Sequence, residues 1–186
     1  MRHRKIVGTL LVSLSLTSCS LFKTSCTCGT VKDMLDTDSL SVIYNDSIDS
    51  ILFCANKVRI YDMADFVLYN DTIENGDSIF NYKIKKNIGF LKKEEIAILS
   101  FIISDKSWYI KNYTPIRQPF HPNFTLEFTH KKNTAFMFVS FGTEEIAISD
   151  SEGNFKFYKM RDKHIMARWA YIAFPEEEYY KKLIKQ

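Results

Sequence analysis

Histidine, serine and cysteine are the side chains of this chain best able to do chemistry, and their spacing decides which chemistry is open to them. His121 sits between Phe120 and Pro122 in a loop leading into a strand-like run. An imidazole so placed can serve as a general base or a ligand. No second histidine is close in sequence, because His130 precedes Lys131-Lys132 and His164 falls in the first turn of a helical run. A three-histidine zinc site would need all of them to converge, and nothing in the spacing asks for that. Ser140 lies in Val139-Ser140-Phe141-Gly142 and lacks the glycine that precedes the serine of a nucleophile elbow. Ser104-Asp105-Lys106-Ser107 misses the Ser-x-x-Lys spacing and reads as a helix terminus. No catalytic residue, metal or cofactor is expected, and His121 stands as a candidate binding residue.

Two further groups could meet a ligand. Lys83, Lys85 and Lys86, with Lys92 and Lys93 following and Tyr82 and Phe90 nearby, form a basic tract suited to anionic lipid or polysaccharide. Lysines on a strand also discourage edge-to-edge pairing, a structural use of the same residues. Tyr109, Tyr113, Tyr171, Tyr179 and Tyr180, with Trp108 and Trp169, offer rings on which a sugar or peptide could stack, although most belong in a core or at its rim.

Cysteines stand at 19, 26, 28 and 54. Cys26-Thr27-Cys28 carries no nearby His or Cys at a ligand spacing, and residues so close seldom bridge each other without strain. A bridge from Cys26 or Cys28 to Cys54 is open but unforced. Cys19 follows Met1-Arg2-His3-Arg4-Lys5, an apolar run over 6–16, and Leu16-Thr17-Ser18. The charged start and short apolar run are those of an export signal. The run is well short of the roughly 20 residues that a permanent span requires.

Leu16-Thr17-Ser18-Cys19 resembles a lipobox, the motif of bacterial lipoproteins. The resemblance implies that residues 1–18 are a signal peptide and that Cys19 carries lipid. Acyl chains contribute about 0.8 kcal/mol per buried CH₂, so attachment to the membrane would be lasting. Ser20 resembles the default residue for outer-membrane sorting, and no acid-rich segment follows. The expected location is the cell envelope, at the outer membrane facing the periplasm.

The formal charge of +3 on 186 residues is carried by the leader. Without Arg2, Arg4 and Lys5, the 25 basic residues fall to 22 against 22 acids, which gives no ground for a nucleic-acid partner. The remaining 168 of 186 residues suit one domain with a sizeable core. Residues 19–45, rich in Ser, Thr and Asp, read as a lipidated tether and 46–186 as the domain, expected to be a monomer.

Within that domain the spacing predicts an Asp46-capped helix over 47–56, a strand over 57–61, turn chemistry over 70–78, and a strand over 79–85. An amphipathic helix is expected over 91–103. The C-terminal half reads as an antiparallel meander: 124–130, a both-faces-buried strand over 134–141, 145–149, and a hairpin through Ser151-Glu152-Gly153-Asn154 into 155–158. A helix capped by Asp162 and a second from Pro175 to Lys185 follow. The fold class is α+β, a single domain with an antiparallel sheet and helices packed around it.

Pro119-Phe120-His121-Pro122-Asn123-Phe124, followed by Phe138-Val139-Ser140-Phe141-Gly142-Thr143 and an acidic C-terminal helix, resembles a group of uncharacterised bacterial proteins with a Phe-x-Pro element. That group carries cysteines where this chain has Gln118, Ser140 and Thr143, so thiol chemistry at those places is absent here. The resemblance bears on the fold and supplies no activity.

These readings favour a membrane-anchored envelope lipoprotein whose domain binds another component, a protein or a polysaccharide, without catalysis. An anchored inhibitor or immunity protein is the alternative. An envelope hydrolase is a second alternative, which a deep polar cleft around His121 would favour.

Overall fold

Strand-forming alternation dominates the chain, and in the computed structural model it produces one long antiparallel sheet. The structure describes residues 46–64, 77–110, 113–114 and 118–185. The leader, Cys19, the Cys26-Thr27-Cys28 segment, the tether and most of the turn expected over 70–78 lie outside them.

The strands are β1 (Lys57–Met63), β2 (Ser78–Ile79), β3 (Tyr82–Phe90), β4 (Phe124–His130), β5 (Asn133–Ser140), β6 (Glu145–Asp150) and β7 (Phe155–Lys159). Their order is β2-β3-β1-β4-β5-β6-β7, with antiparallel neighbours throughout. The helices are α1 (Asp46–Cys54), α2 (Lys93–Ser104), α3 (Lys163–Ala173) and α4 (Glu178–Ile184). The α+β class is thus as the sequence patterns require. Cys54, at the end of α1, is disulfide-bonded.

Period-two alternation along β5 sends its side chains into two separate apolar layers. Ala135, Met137 and Val139 point to the helices, where they join Val58, Ile60, Phe124, Leu126, Phe128, Ile146 and Leu99 in the main core. Phe136 and Phe138 point the other way. They meet Phe80 and Phe155: Phe80 lies 5.4 Å from Phe136, and Phe138 lies 5.5 Å from Phe155. Helix α3 docks through Trp169, whose indole N–H donates to the Glu95 carbonyl at 3.0 Å. The Asp162 carboxylate accepts from the His164 N–H at 2.8 Å, the cap that the sequence pattern predicts.

The aromatic layer also shows how the sheet curls. Phe80 follows an edge strand and Phe155 lies on the opposite edge strand, yet their rings are 5.2 Å apart. The right-handed twist accumulated over seven strands brings the two ends of the sheet together. Glu127, Thr125 and Tyr61, on the same face, continue the layer with polar groups; the Tyr61 hydroxyl donates to Glu127 at 2.6 Å.

Three expectations need correction. The strand expected over 79–85 is broken at Phe80 and Asn81, where Phe80 takes a φ of +53° and the chain reverses into β3. Alternation of residue types continues through this turn, so it carries no mark of the reversal. β3 then runs on to Phe90, accommodated by register shifts against β1. The last helix begins at Glu178 and not at Pro175, since the carbonyl of Phe174 accepts from Glu177 N–H in an intervening turn.

Candidate functional site

Chain segments distant in sequence meet beside the end of β5 and line an open cleft of about 370 Å³. Its walls are Gln118, Pro119, His121 and Asn123 from the loop ahead of β4, Ser140 at the end of β5, Gly142 and Thr143 from the β5–β6 turn, and Tyr179 from α4. Phe120-His121-Pro122 is kept extended by its proline. Phe120 packs against Tyr82 and Phe157, at 6.1 and 5.4 Å, and so anchors the loop to the aromatic layer while His121 lines the cleft.

Asn123 fixes the wall from several sides. Its N–H donates to the Val139 carbonyl at 2.7 Å and its carbonyl accepts from Met63 N–H at 3.1 Å. Its side-chain oxygen accepts from Phe141 N–H at 2.8 Å, and its amide nitrogen donates to the Tyr179 hydroxyl at 3.3 Å. Tyr179 is 44% exposed, whereas its neighbour Tyr180 is buried. Phe141 and Tyr180 support the Tyr179 ring at 6.3 and 5.4 Å. Burial, with the charges of Asp62 and Glu177, pushes the Tyr180 hydroxyl far up, so it stays protonated behind the ring.

The opposite wall is a turn held by charge. Glu144 has a φ of +55° and lies 3.2 Å from Lys159 and 3.3 Å from Lys163. Burial acts to raise the Glu144 pKa, but hydrogen bonds and charge from the two lysines outweigh it and hold the carboxyl below its usual range. Lys159 also donates to the Thr143 carbonyl at 2.6 Å. Beside them Glu145 is almost fully buried and accepts a hydrogen bond from the Tyr113 hydroxyl. Ser140 is 1% exposed, and its oxygen accepts from Thr143 N–H at 3.4 Å. The Thr143 hydroxyl oxygen is buried without a hydrogen-bond partner.

His121 therefore lies in an open cleft of mixed polar and apolar lining, and Gln118 from its own loop and Ser140 and Thr143 from the end of β5 and the turn after it line it too. Lys83, Lys85 and Lys86 do not line it. Lys85 pairs with Asp62 at 2.9 Å, and Lys86 faces Asp62 across the β1–β3 ladder, so the tract is partly neutralised by β1. The other two described histidines make bonds that hold the fold together: His130 Nδ1 is 2.6 Å from the Cys54 carbonyl, and His164 Nδ1 is 3.1 Å from the Leu183 carbonyl. Of the described aromatic candidates, Trp108, Tyr109, Trp169 and Tyr180 are buried, and Tyr179 is the one that reaches the cleft. Asn123 carried no sequence signal beyond its place between Pro122 and a strand.

Chemically, the described lining offers amides, hydroxyls and an imidazole, with no carboxylate, lysine or arginine among them. Among the described residues no three His, Cys, Asp or Glu side chains are grouped to hold a metal ion, and no helix is long and apolar enough to cross a membrane. Comparison with family models, curated proteins and solved structures gives no match.

Proposed function

We propose that this chain is a lipid-anchored binding protein of the bacterial envelope. Cys19 holds it at the outer membrane on the periplasmic side, and the His121 cleft receives another envelope component without catalysing its conversion. The anchor rests on the charged start, short apolar run and lipobox-like Leu16-Thr17-Ser18-Cys19.

The observation that carries the binding reading is the lining of the cleft. Its described groups include amides and hydroxyls that donate and accept hydrogen bonds, and Tyr179 stands 44% exposed beside them. Ser140, the serine of the cleft, is buried and accepts from the turn above it, unlike an exposed nucleophile. The cleft at His121 is open and of mixed lining, unlike the deep polar cleft that would favour a hydrolase.

The test uses the full chain in intact cells, with a photo-crosslinking amino acid at Gln118 and, as control, at exposed Ile172 on α3. A defined adduct at position 118, absent at 172, is expected. No adduct above the control overturns the reading. So does a His121→Ala variant that keeps the adduct and the fold yet loses function as completely as a deletion.

A further inference from the structure

We infer that the outer face of α2 and α3 lies on the lipid surface to which the chain is anchored. The inference rests on the anchor proposed above at Cys19 and is independent of what fills the cleft.

Helical period decides which residues make this face. On α2, Leu99 and Ile103 turn to the core and are fully buried, while Ile98 and Phe101, neighbours on the helix surface, stand exposed, Phe101 by 76%. On α3, Met166, Ala167 and Ala170 are buried, while Ile165 and Ile172 share an exposed stripe with Arg168. The bond from the Trp169 indole to the Glu95 carbonyl joins the two helices about one turn from Ile98, Ile165 and Ile172. Of the seven exposed large hydrophobic side chains among the described residues, four therefore flank one seam. Single apolar residues at a surface are ordinary, whereas a cluster marks a surface that meets an apolar partner.

What covers the face follows from where the chain is held. Cys54 ends α1 and is disulfide-bonded, and the other cysteines of the chain are Cys19, Cys26 and Cys28. A Cys19 whose sulfur carries lipid has no thiol to give, which leaves Cys26 or Cys28 as the partner. The free chain between lipid and fold then runs only from Cys19 to one of these, at most about 30 Å when fully extended, or the width of a small domain. Helix α1 packs on the same side of the sheet as α2 and α3, since Ile51 and Leu52 join Leu99, Ile103 and Trp169 in one core. The bilayer is thus held beside the helix layer, and its high local concentration keeps even weak contacts occupied. Lys93, Glu94 and Arg168 give the exposed side of these helices both signs of charge, so apolar burial and not charge holds the face to lipid.

The experiment uses the purified full chain with its anchor, reconstituted in vesicles of phosphatidylethanolamine and phosphatidylglycerol with or without brominated acyl chains. Phe101→Trp and Ile172→Trp place an indole on the face, and Glu152→Trp places one beside Phe80 on the other side of the sheet. The parent, whose Trp108 and Trp169 are buried, supplies the background. Bromine should quench the added emission about twofold or more at 101 and 172, as for side chains at the boundary of headgroups and acyl chains, and leave 152 unchanged. Salt at about 0.5 M should not release the quenching. Digestion without reduction should join the Cys54 peptide to the one holding Cys26 and Cys28. Quenching equal at all three positions or absent at 101 and 172, its loss in salt, a free Cys54 or a bond from Cys54 to Cys19 each overturns the inference. So does a dimer cross-linked through position 101 in place of quenching, which gives the face to a second copy. A Cys19 without acyl chains sinks the anchor and this inference together; an acylated chain without quenching sinks this inference alone. In the crosslinking test above, a lipid adduct at 172 differs in mass from the adduct expected at 118.

Discussion

The side-chain amide of Asn123 donates to the hydroxyl of Tyr179 at 3.3 Å and thereby ties the loop ahead of β4 to the C-terminal helix across the cleft. The other end of the same amide accepts from Phe141 N–H at 2.8 Å. Asn123→Ala leaves that backbone N–H without its partner and is expected to cost about 1–3 kcal/mol. Asn123→Asp keeps the acceptor and should recover much of the loss. Urea unfolding of the two variants checks this; equal losses would mean that the Phe141 bond is not what stabilises the turn.

The sheet has two apolar layers, and each should respond separately. Leu99 belongs to the helix-side core and Phe138 to the aromatic layer, both fully buried. Leu99→Ala and Phe138→Ala should each cost about 2–5 kcal/mol, since each leaves a cavity. Because they lie on opposite faces, the double variant should be additive within about 0.5 kcal/mol. Denaturation of the three proteins measures the coupling, and a larger coupling would show that the layers form one unit.

Gly153 has a φ of +87°, and a Cβ there would stand 3.2 Å from the Phe80 ring. Gly153→Ala should therefore destabilise by roughly 1–2 kcal/mol through backbone strain and crowding of Phe80. In a Phe80→Ala background the crowding part disappears and only the backbone part remains. Thermal melts of the four proteins in this cycle separate the two; an identical penalty in both backgrounds would show that Phe80 does not constrain the β6–β7 turn.

Glu144 links the cleft's turn to Lys159 and Lys163, and its folded pKa lies below the ordinary 4.5. A depressed carboxyl pKa adds stability that is present above the unfolded value and is lost as pH falls through the folded one. Glu144→Gln should lower stability at neutral pH by at most about 1 kcal/mol, because the pairs are partly exposed. The gap between parent and variant should close as the pH falls below 4.5. Melts from pH 7 to pH 3 test this; a gap that persists in acid would assign the effect to packing.

Local pattern alone determined much of this protein. Alternation over 124–130 and the continuous, mostly apolar run over 134–141 placed β4 and β5, and that run already implied cover on both faces. Asp162 marked the start of α3, and Ser151-Glu152-Gly153-Asn154 marked the hairpin. Such signals are readable because side-chain period and turn chemistry act over a few neighbouring residues. Only tertiary structure decided that Phe80 reverses the chain and reaches Phe155, that Asp62 neutralises Lys85, and that Gln118, His121, Asn123, Ser140, Thr143 and Tyr179 enclose one cleft. Those relationships join residues far apart in the chain; they follow from sheet twist and core packing, which no local spacing encodes.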